Sequence, residues 1–129
     1  MGVAVPLNIK IIEQGDYVRL VLTGDFPLQL PETVDAFARI SALSSATGHA
    51  RFLLDARGVV GRLSIPGIFE FVTMAYPEEL GNARSAALDV PEHMVSARFF
   101  ENLMRSRGRT YRVFTDEAEA LAWLLSNNP

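Results

Sequence analysis

Four aspartates fall at or just after the ends of predicted strands: Asp25, Asp55, Asp89 and Asp116. The carboxyl ends of parallel strands form the ligand-binding edge of an open α/β sheet, so carboxylates gathered there could hold a hard cation such as Mg²⁺, as in receiver and phosphatase sites. Such sites also use a basic group after the last strand, but the only lysine, Lys10, lies near the N-terminus. Asp is common in turns and helix caps, so we interpret the four as structural and predict no metal site.

Other signatures of catalysis are missing from the sequence. It contains no cysteine, which excludes disulfides, thiolate metal sites and a cysteine nucleophile. His49 and His93 have no further ligand at metal-binding spacing. Neither a G-x-S-x-G elbow nor the glycine patterns of phosphate-binding and dinucleotide-binding loops occur. We therefore predict that the protein is not an enzyme and uses no cofactor.

Ser64 lies where a serine can cap a helix or carry a phosphate. It precedes a predicted helix that has Pro66 in its first turn, and a serine there satisfies free backbone N–H groups. A phosphate on Ser64 would accept hydrogen bonds from the same groups, and Arg57 and Arg62 are close in the sequence. Capping is the simpler interpretation, and the sequence leaves open whether Ser64 is phosphorylated.

The elements that would position these residues follow from the apolar pattern, which predicts the order β-β-α-β-α-β-α-β-α. Alternating residues at 8–12 and 17–22 predict an antiparallel hairpin. Short apolar runs predict three further strands, at 52–54, 85–88 and 111–114. Because strands separated by helices run parallel through right-handed crossovers, we predict an α/β fold with a mixed, mostly parallel sheet, an N-terminal antiparallel hairpin and helices packed on it.

The helical period predicts which side chains face the sheet. The inward residues are Ile65, Ile68, Phe69, Val72 and Tyr76 in the second helix, Val95, Phe99 and Leu103 in the third, and Ala118, Leu121, Leu124 and Leu125 in the last. On the third helix, Arg98 and Arg105 are expected on a solvated outer face near Glu101.

Several large apolar residues fall outside these inward faces. They are Phe71, Met74, Met94, Met104 and Trp123. Packing between neighbouring helices explains most such residues. Aromatic and methionine side chains are also enriched at interfaces, which makes a contact surface or a pocket the alternative hypothesis.

The size and composition indicate a single folded domain over residues 1–129, with frayed ends at 1–6 and 127–129. Of the 129 residues, 49% are hydrophobic and 21% are charged, and the net charge of −3 gives no bulk attraction for nucleic acid or anionic lipid. No apolar run approaches the ~20 residues of a membrane helix, and the N-terminus does not have the pattern of a secretory signal. We therefore expect a cytoplasmic protein.

Three features together carry a family resemblance. They are the opening hairpin followed by alternating helices, the strand end FLLDARG at 52–58, and the closing segment YRVFTDEAEALAWL at 111–124. The closing segment contains the fairly specific pattern Phe-x-Asp-Glu-x-x-Ala-x-x-Trp-Leu. Over nearly its whole length the chain resembles the STAS superfamily, and within it the SpoIIAA-like branch, also labelled STAS/SEC14.

The resemblance implies regulation by protein contact. STAS domains act as anti-sigma-factor antagonists or as accessory regulatory modules, and a Ser or Thr at the start of the second helix is phosphorylated to switch partners. The matching segment here is GRLSIPG at 61–67, which keeps Ser64 but lacks the Asp-Ser-(Ser/Thr)-Gly block of the classical members.

Two functions follow as alternatives. The first is a non-enzymatic regulatory domain whose surface around residues 57–76 binds a kinase, a sigma-factor regulator or a second copy of the chain as a homodimer. The second is a small apolar-ligand or lipid-binding protein of STAS/SEC14 type, with a pocket of roughly a few hundred Å³ lined by Phe69, Phe71, Met74, Phe99 or Phe100. The candidate contact residues for either function are Arg57, Arg62, Phe71, Met74, Phe100 and Trp123.

Overall fold

The elements follow one another in the order that the sequence predicts. In the computed structural model the strands are β1 (Asn8–Glu13), β2 (Val18–Gly24), β3 (Arg51–Val59), β4 (Arg84–Leu88) and β5 (Thr110–Phe114). The helices are α1 (Leu30–Thr47), α2 (Ile65–Glu70), α3 (Met94–Ser106) and α4 (Glu117–Leu124). A π-helical turn, Phe71–Ala75, continues α2, and a 3₁₀ turn, Pro91–His93, precedes α3.

The structure describes residues 7–26, 30–48, 50–76, 80 and 82–127. Of the predicted frayed ends, 1–6 and 128–129 lie outside the described residues, as does His49. Asn127 is described, and its side chain accepts a hydrogen bond from Arg51 at 3.2 Å. No helix in these ranges is long and apolar enough to cross a membrane.

The sheet confirms the predicted topology. Its strand order is β1-β2-β3-β4-β5, with β1 antiparallel to β2 and each later neighbour parallel. Gly15 turns the opening hairpin with a φ of 84°, a left-handed conformation that glycine adopts without steric cost. Gly108, with a φ of 77°, follows α3 in the left-handed conformation expected of a helix C-terminus.

Both faces of the sheet are covered, because successive strand residues point to opposite sides. On one face, Leu20, Phe52 and Val113 pack with residues of α1, α2 and α3. On the other face, Leu53 and Leu88 pack under α4. The 52–54 run is therefore buried from both sides at Phe52 and Leu53, as its unbroken apolar pattern predicts.

The buried face of α2 differs from the predicted one. Phe71, predicted outside the inward face, is fully buried with Ile68 and Val72, whereas Ile65 and Phe69 are exposed. The residues that are buried lie on a face of the helix next to the predicted one, and the π-helical turn begins at Phe71. The helical period gives the positions of side chains only relative to one another. Which of two adjacent apolar stripes is buried depends on the elements that pack against the helix.

The buried face of α3 is also displaced. Met104 and Glu101 are buried, and Val95, predicted inward, is exposed. The Glu101 carboxylate accepts a hydrogen bond from the Val113 backbone N–H at 2.7 Å and faces Arg98 at 3.3 Å. A buried polar group is stable when it is bonded in this way. Arg98 and Arg105 are exposed, as the sequence predicts, whereas Glu101 between them is buried.

In α4 the buried face also differs from the predicted one, which placed Trp123 outside it. Trp123 is buried with Ala120 and Leu124, whereas Ala118 and Leu125 are exposed. The guanidinium of Arg84 lies 3.9 Å from the centre of the indole ring and also donates to the Trp123 carbonyl oxygen at 2.7 Å. Trp123 therefore packs in the core under α4 and also lines a small pocket with Arg105 and Arg112. Its role as a contact residue stays a prediction.

Candidate functional site

The carboxyl edge of the sheet brings Asp55 into an ion-pair network. Arg57 donates to Asp55 from Nε and from NH2, both at 2.9 Å, and Arg19 donates to Asp55 at 3.0 Å. Arg19 and Arg57 also contact Glu117 at the start of α4, at 2.9 and 3.2 Å. Two guanidiniums and two carboxylates thus neutralise one another and join β2, β3 and α4.

The other three aspartates hold loops and helix ends. Asp89 is buried and pairs with both terminal nitrogens of Arg62 at 2.7 and 2.9 Å. Asp25 accepts from the Gly61 N–H at 3.0 Å, and Asp116 caps α4 by accepting from the Glu119 N–H at 3.0 Å. In the part of the chain that the structure describes, no three acidic or histidine side chains form a group that could hold a metal ion.

The ion-pair network lowers the pKa of both its carboxyl groups. The hydrogen bonds from Arg57 are the largest influence on the pKa of Asp55 and hold it below its ordinary value, against the opposing effect of burial. The hydrogen bond from Arg19 lowers the pKa of Glu117 in the same way. These carboxylates are therefore bound as anions in the folded protein.

We expect acid to destabilise the fold through this network. A carboxyl group whose pKa is lower in the folded state stabilises the protein above its ordinary pKa of about 4, and this stability is lost as the pH falls through the folded value. The free energy of unfolding should therefore fall between about pH 5 and pH 2, and less steeply in Asp55→Asn. Urea unfolding followed by circular dichroism measures this dependence.

The matched control is Asp35→Asn, which removes an exposed carboxylate from α1. It should keep the wild-type dependence on pH. Equal slopes for wild type, Asp35→Asn and Asp55→Asn would contradict the stabilising role of Asp55.

Ser64 is the N-cap of α2, as the sequence predicts. Its hydroxyl accepts from the Gly67 N–H at 3.1 Å, and the side chain is exposed.

The arginines near Ser64 in the sequence already have partners. Arg57 pairs with Asp55 and Glu117, and Arg62 pairs with Asp89. Arg62 also donates to the carbonyl oxygens of Ala56 and Val59 at 3.0 and 3.2 Å. Phosphorylation of Ser64 stays a prediction.

An exposed apolar surface lies on α2, its π-helical turn and α3. Ile65, Phe69, Met74 and Val95 are 42%, 54%, 76% and 84% exposed, and we call these four residues the α2–α3 surface. Ile65 and Val95 also line an open groove with Met94, Arg98, Phe99 and Asn102. Met74 is a predicted contact residue, whereas the other three are predicted to face inward, because their periodic spacing is also that of a buried face.

A separate apolar cavity of about 110 Å³, partly open to solvent, lies between the helices and the carboxyl ends of β2 and β3. Phe100 lines it, together with residues such as Leu54, Ala56, Ile68 and Ala97. Phe71, a predicted pocket residue, is packed in the core against Phe37 and Phe100, with ring centres 4.9 and 6.1 Å apart. The cavity is smaller than the pocket predicted from the sequence, whereas the open groove lined by Phe99 is larger, at about 650 Å³.

Comparison with known proteins supports the fold. The chain matches no family model and no curated protein. Among solved structures, an anti-sigma factor antagonist from Mycobacterium paratuberculosis superposes with a TM-score of 0.62 at 10% identity, covering 96% of this chain and 100% of that one. An uncharacterised protein with a SpoIIAA-like fold from Shewanella loihica PV-4 gives a TM-score of 0.60 at 19% identity, covering 96% and 98%. The fold is therefore SpoIIAA-like, as the STAS resemblance predicts.

Proposed function

We propose that this SpoIIAA-like domain is a non-enzymatic regulatory module that binds a protein partner through the α2–α3 surface. The observation that carries the proposal is the exposure of four large apolar side chains, Ile65, Phe69, Met74 and Val95, on adjoining helical segments. Ile65 and Val95 line one groove, and contiguous apolar patches on a soluble domain mark interaction sites. The similarity in fold to an anti-sigma factor antagonist supports the same class of function.

The charges at the carboxyl edge also favour binding over chemistry. Asp55 and Asp89 are each bonded to arginine, so both carboxylates already have a counter-charge within the fold. The proposed partner is a kinase or a sigma-factor regulator of the cytoplasm that presents apolar side chains to the groove. Arg98, whose side chain is 58% exposed, would lie at the polar rim of the contact.

A charge introduced into the α2–α3 surface should abolish partner binding without unfolding the domain. Ile65→Glu and Val95→Glu should each weaken binding to the cognate anti-sigma factor or kinase at least tenfold, which is the effect expected of central interface residues. Titration calorimetry with purified anti-sigma factors and their kinases from the same organism measures the affinity. Thermal unfolding of each variant checks that the fold is retained.

Leu125→Glu is the matched control. Leu125 is 45% exposed, close to the 42% of Ile65, but it follows α4 on the opposite face of the sheet. This variant should bind as the wild type does. If no regulator binds the wild type, or if Leu125→Glu weakens binding as much as Ile65→Glu, the proposal is wrong. Sedimentation of the domain alone tests whether a second copy occupies the surface instead.

The alternative function, lipid binding, has weaker support. Sites for drug-sized ligands and lipids enclose roughly 300–1,000 Å³. The apolar cavity measures about 110 Å³, which is too little for an acyl chain. The groove at Ile65 and Val95 is larger, about 650 Å³, but it lies open on the surface and does not enclose a ligand. The cavity is better suited to a ligand much smaller than a lipid.

A further inference from the structure

The apolar cavity lies where open α/β sheets bind their ligands. It is formed by the carboxyl-terminal parts of β2 and β3, with α2 and α3 above them. Leu54 belongs to β3, the middle strand, and is paired with Leu20 and Ala87 on its two sides. Both neighbours are buried, yet Leu54 is only partly buried. Space is therefore left open over the centre of the sheet.

Small side chains create this space. Ala56 on β3 and Ala97 on α3 both line the cavity, where larger residues would fill it. Protein interiors are packed to the density of organic crystals, and voids larger than a water molecule are few and cost stability. An enclosed apolar cavity of about 150 Å³ binds benzene or xenon. The space here is of similar size and is partly open to solvent, which gives a ligand a way in.

The polar groups of the wall define the ligand chemistry. Arg62 and Asp89 are at the cavity, but they neutralise each other through two hydrogen bonds. A charged ligand would therefore have no counter-charge there. The hydroxyl of Ser96, a partly exposed residue that also lines the cavity, makes no hydrogen bond with the residues that the structure describes. This hydroxyl can therefore donate a hydrogen bond to a ligand or accept one from it.

We propose that the cavity is a binding site for a small neutral aromatic molecule of about six or seven non-hydrogen atoms, whose single hydroxyl bonds to Ser96. The cavity volume limits the size of the ligand, and the apolar wall favours an aromatic ring. Because Arg62 and Asp89 neutralise each other, the site disfavours a charged ligand. The site is independent of the α2–α3 surface, so it goes beyond the regulatory function proposed above.

Phenol and benzene are the probes that test this site. Titration of each into the full chain, followed by methyl NMR, should give saturable shifts at Leu54 and Ile68, with dissociation constants on the order of 1 mM for ligands this small. Ser96→Ala should weaken phenol binding several-fold and leave benzene binding unchanged. Absence of saturable binding by either probe would overturn the proposal.

Filling the cavity should remove binding while the protein stays folded. Ala97→Leu is expected to weaken both probes at least tenfold, and Ala56→Val provides a second filling variant if Ala97→Leu does not fold. The control Ala122→Leu adds the same side chain at an exposed position of α4 and should bind both probes normally. If Ala97→Leu or Ala56→Val is folded and binds as the wild type does, the ligand does not occupy this cavity.

Two further measurements separate this site from the partner surface and from lipid binding. Ile65→Glu should bind phenol normally. The proposal for the cavity and the proposal for the α2–α3 surface are therefore tested independently of each other. Displacement of phenol by a fatty acid would overturn the size limit and support the lipid-binding alternative.

Discussion

Phe71→Ala is expected to lower the free energy of unfolding by about 3–5 kcal/mol, as removal of a buried aromatic ring typically does. Phe71 is 0% exposed, although its spacing along α2 predicts the opposite. Its ring centre lies 4.9 Å from that of Phe37, 5.7 Å from that of Tyr76 and 6.1 Å from that of Phe100. Truncation removes all three contacts at once and leaves a void between the helices.

Urea unfolding of Phe71→Ala and Phe69→Ala measures the difference between the two faces of α2. Phe69→Ala makes the same chemical change at a position that is 54% exposed, so it should cost about 1 kcal/mol or less. Phe69→Ala should instead weaken partner binding, because Phe69 belongs to the α2–α3 surface. Equal costs for the two variants would mean that α2 does not bury Phe71 in preference to Phe69.

Arg62→Met is expected to cost about 3–5 kcal/mol, the range for breaking a buried ion pair from one side. The Asp89 carboxylate would stay buried and keep only the Val90 N–H, from which it accepts at 2.8 Å. The Ala56 and Val59 carbonyl oxygens would also lose hydrogen bonds from the guanidinium. Methionine keeps the apolar stem of the side chain, so the loss isolates the effect of charge and hydrogen bonding.

The double variant Arg62→Met/Asp89→Leu tests the cause of that loss. Because it removes the uncompensated charge as well, it should be more stable than Arg62→Met alone. Arg105→Met serves as the surface control, since Arg105 is exposed in the last turn of α3, and should change stability by about 0.5 kcal/mol or less. If Arg62→Met proves as mild as Arg105→Met, Arg62 does not hold the loop between β3 and α2.

The Arg62–Asp89 pair also bears on the cavity and the partner surface. Arg62 lies in the loop before α2 and binds the residue that follows β4. It therefore fixes the start of α2, including its N-cap Ser64, relative to the sheet. Arg62→Met is expected to loosen the cavity wall as well as the fold, so variants of Ala97 and Ser96 are the cleaner tests of ligand binding.

The sequence by itself determines the order of the elements, the opening hairpin and the Ser64 cap. These features depend on residues close together in the chain: alternation marks the strands, Gly15 permits the turn, and Ser64 reaches the Gly67 N–H. The parallel arrangement of β2 to β5 follows from the helices between the strands and the preferred hand of their crossovers. Local interactions therefore suffice to predict the α/β architecture.

Only the tertiary structure decides which side of each helix is buried and which charges are neutralised. Two adjacent stripes of α2 are both apolar, and Phe71 is buried because it meets Phe37 and Phe100 from other elements. Glu101 can be buried because the Val113 N–H donates a hydrogen bond to it. Asp89 can be buried because it pairs with Arg62, which is 27 residues away in the sequence. The rotation of each helix and the pairing of its charges depend on the elements packed against it. The α2–α3 surface and the cavity therefore form only when the chain is folded.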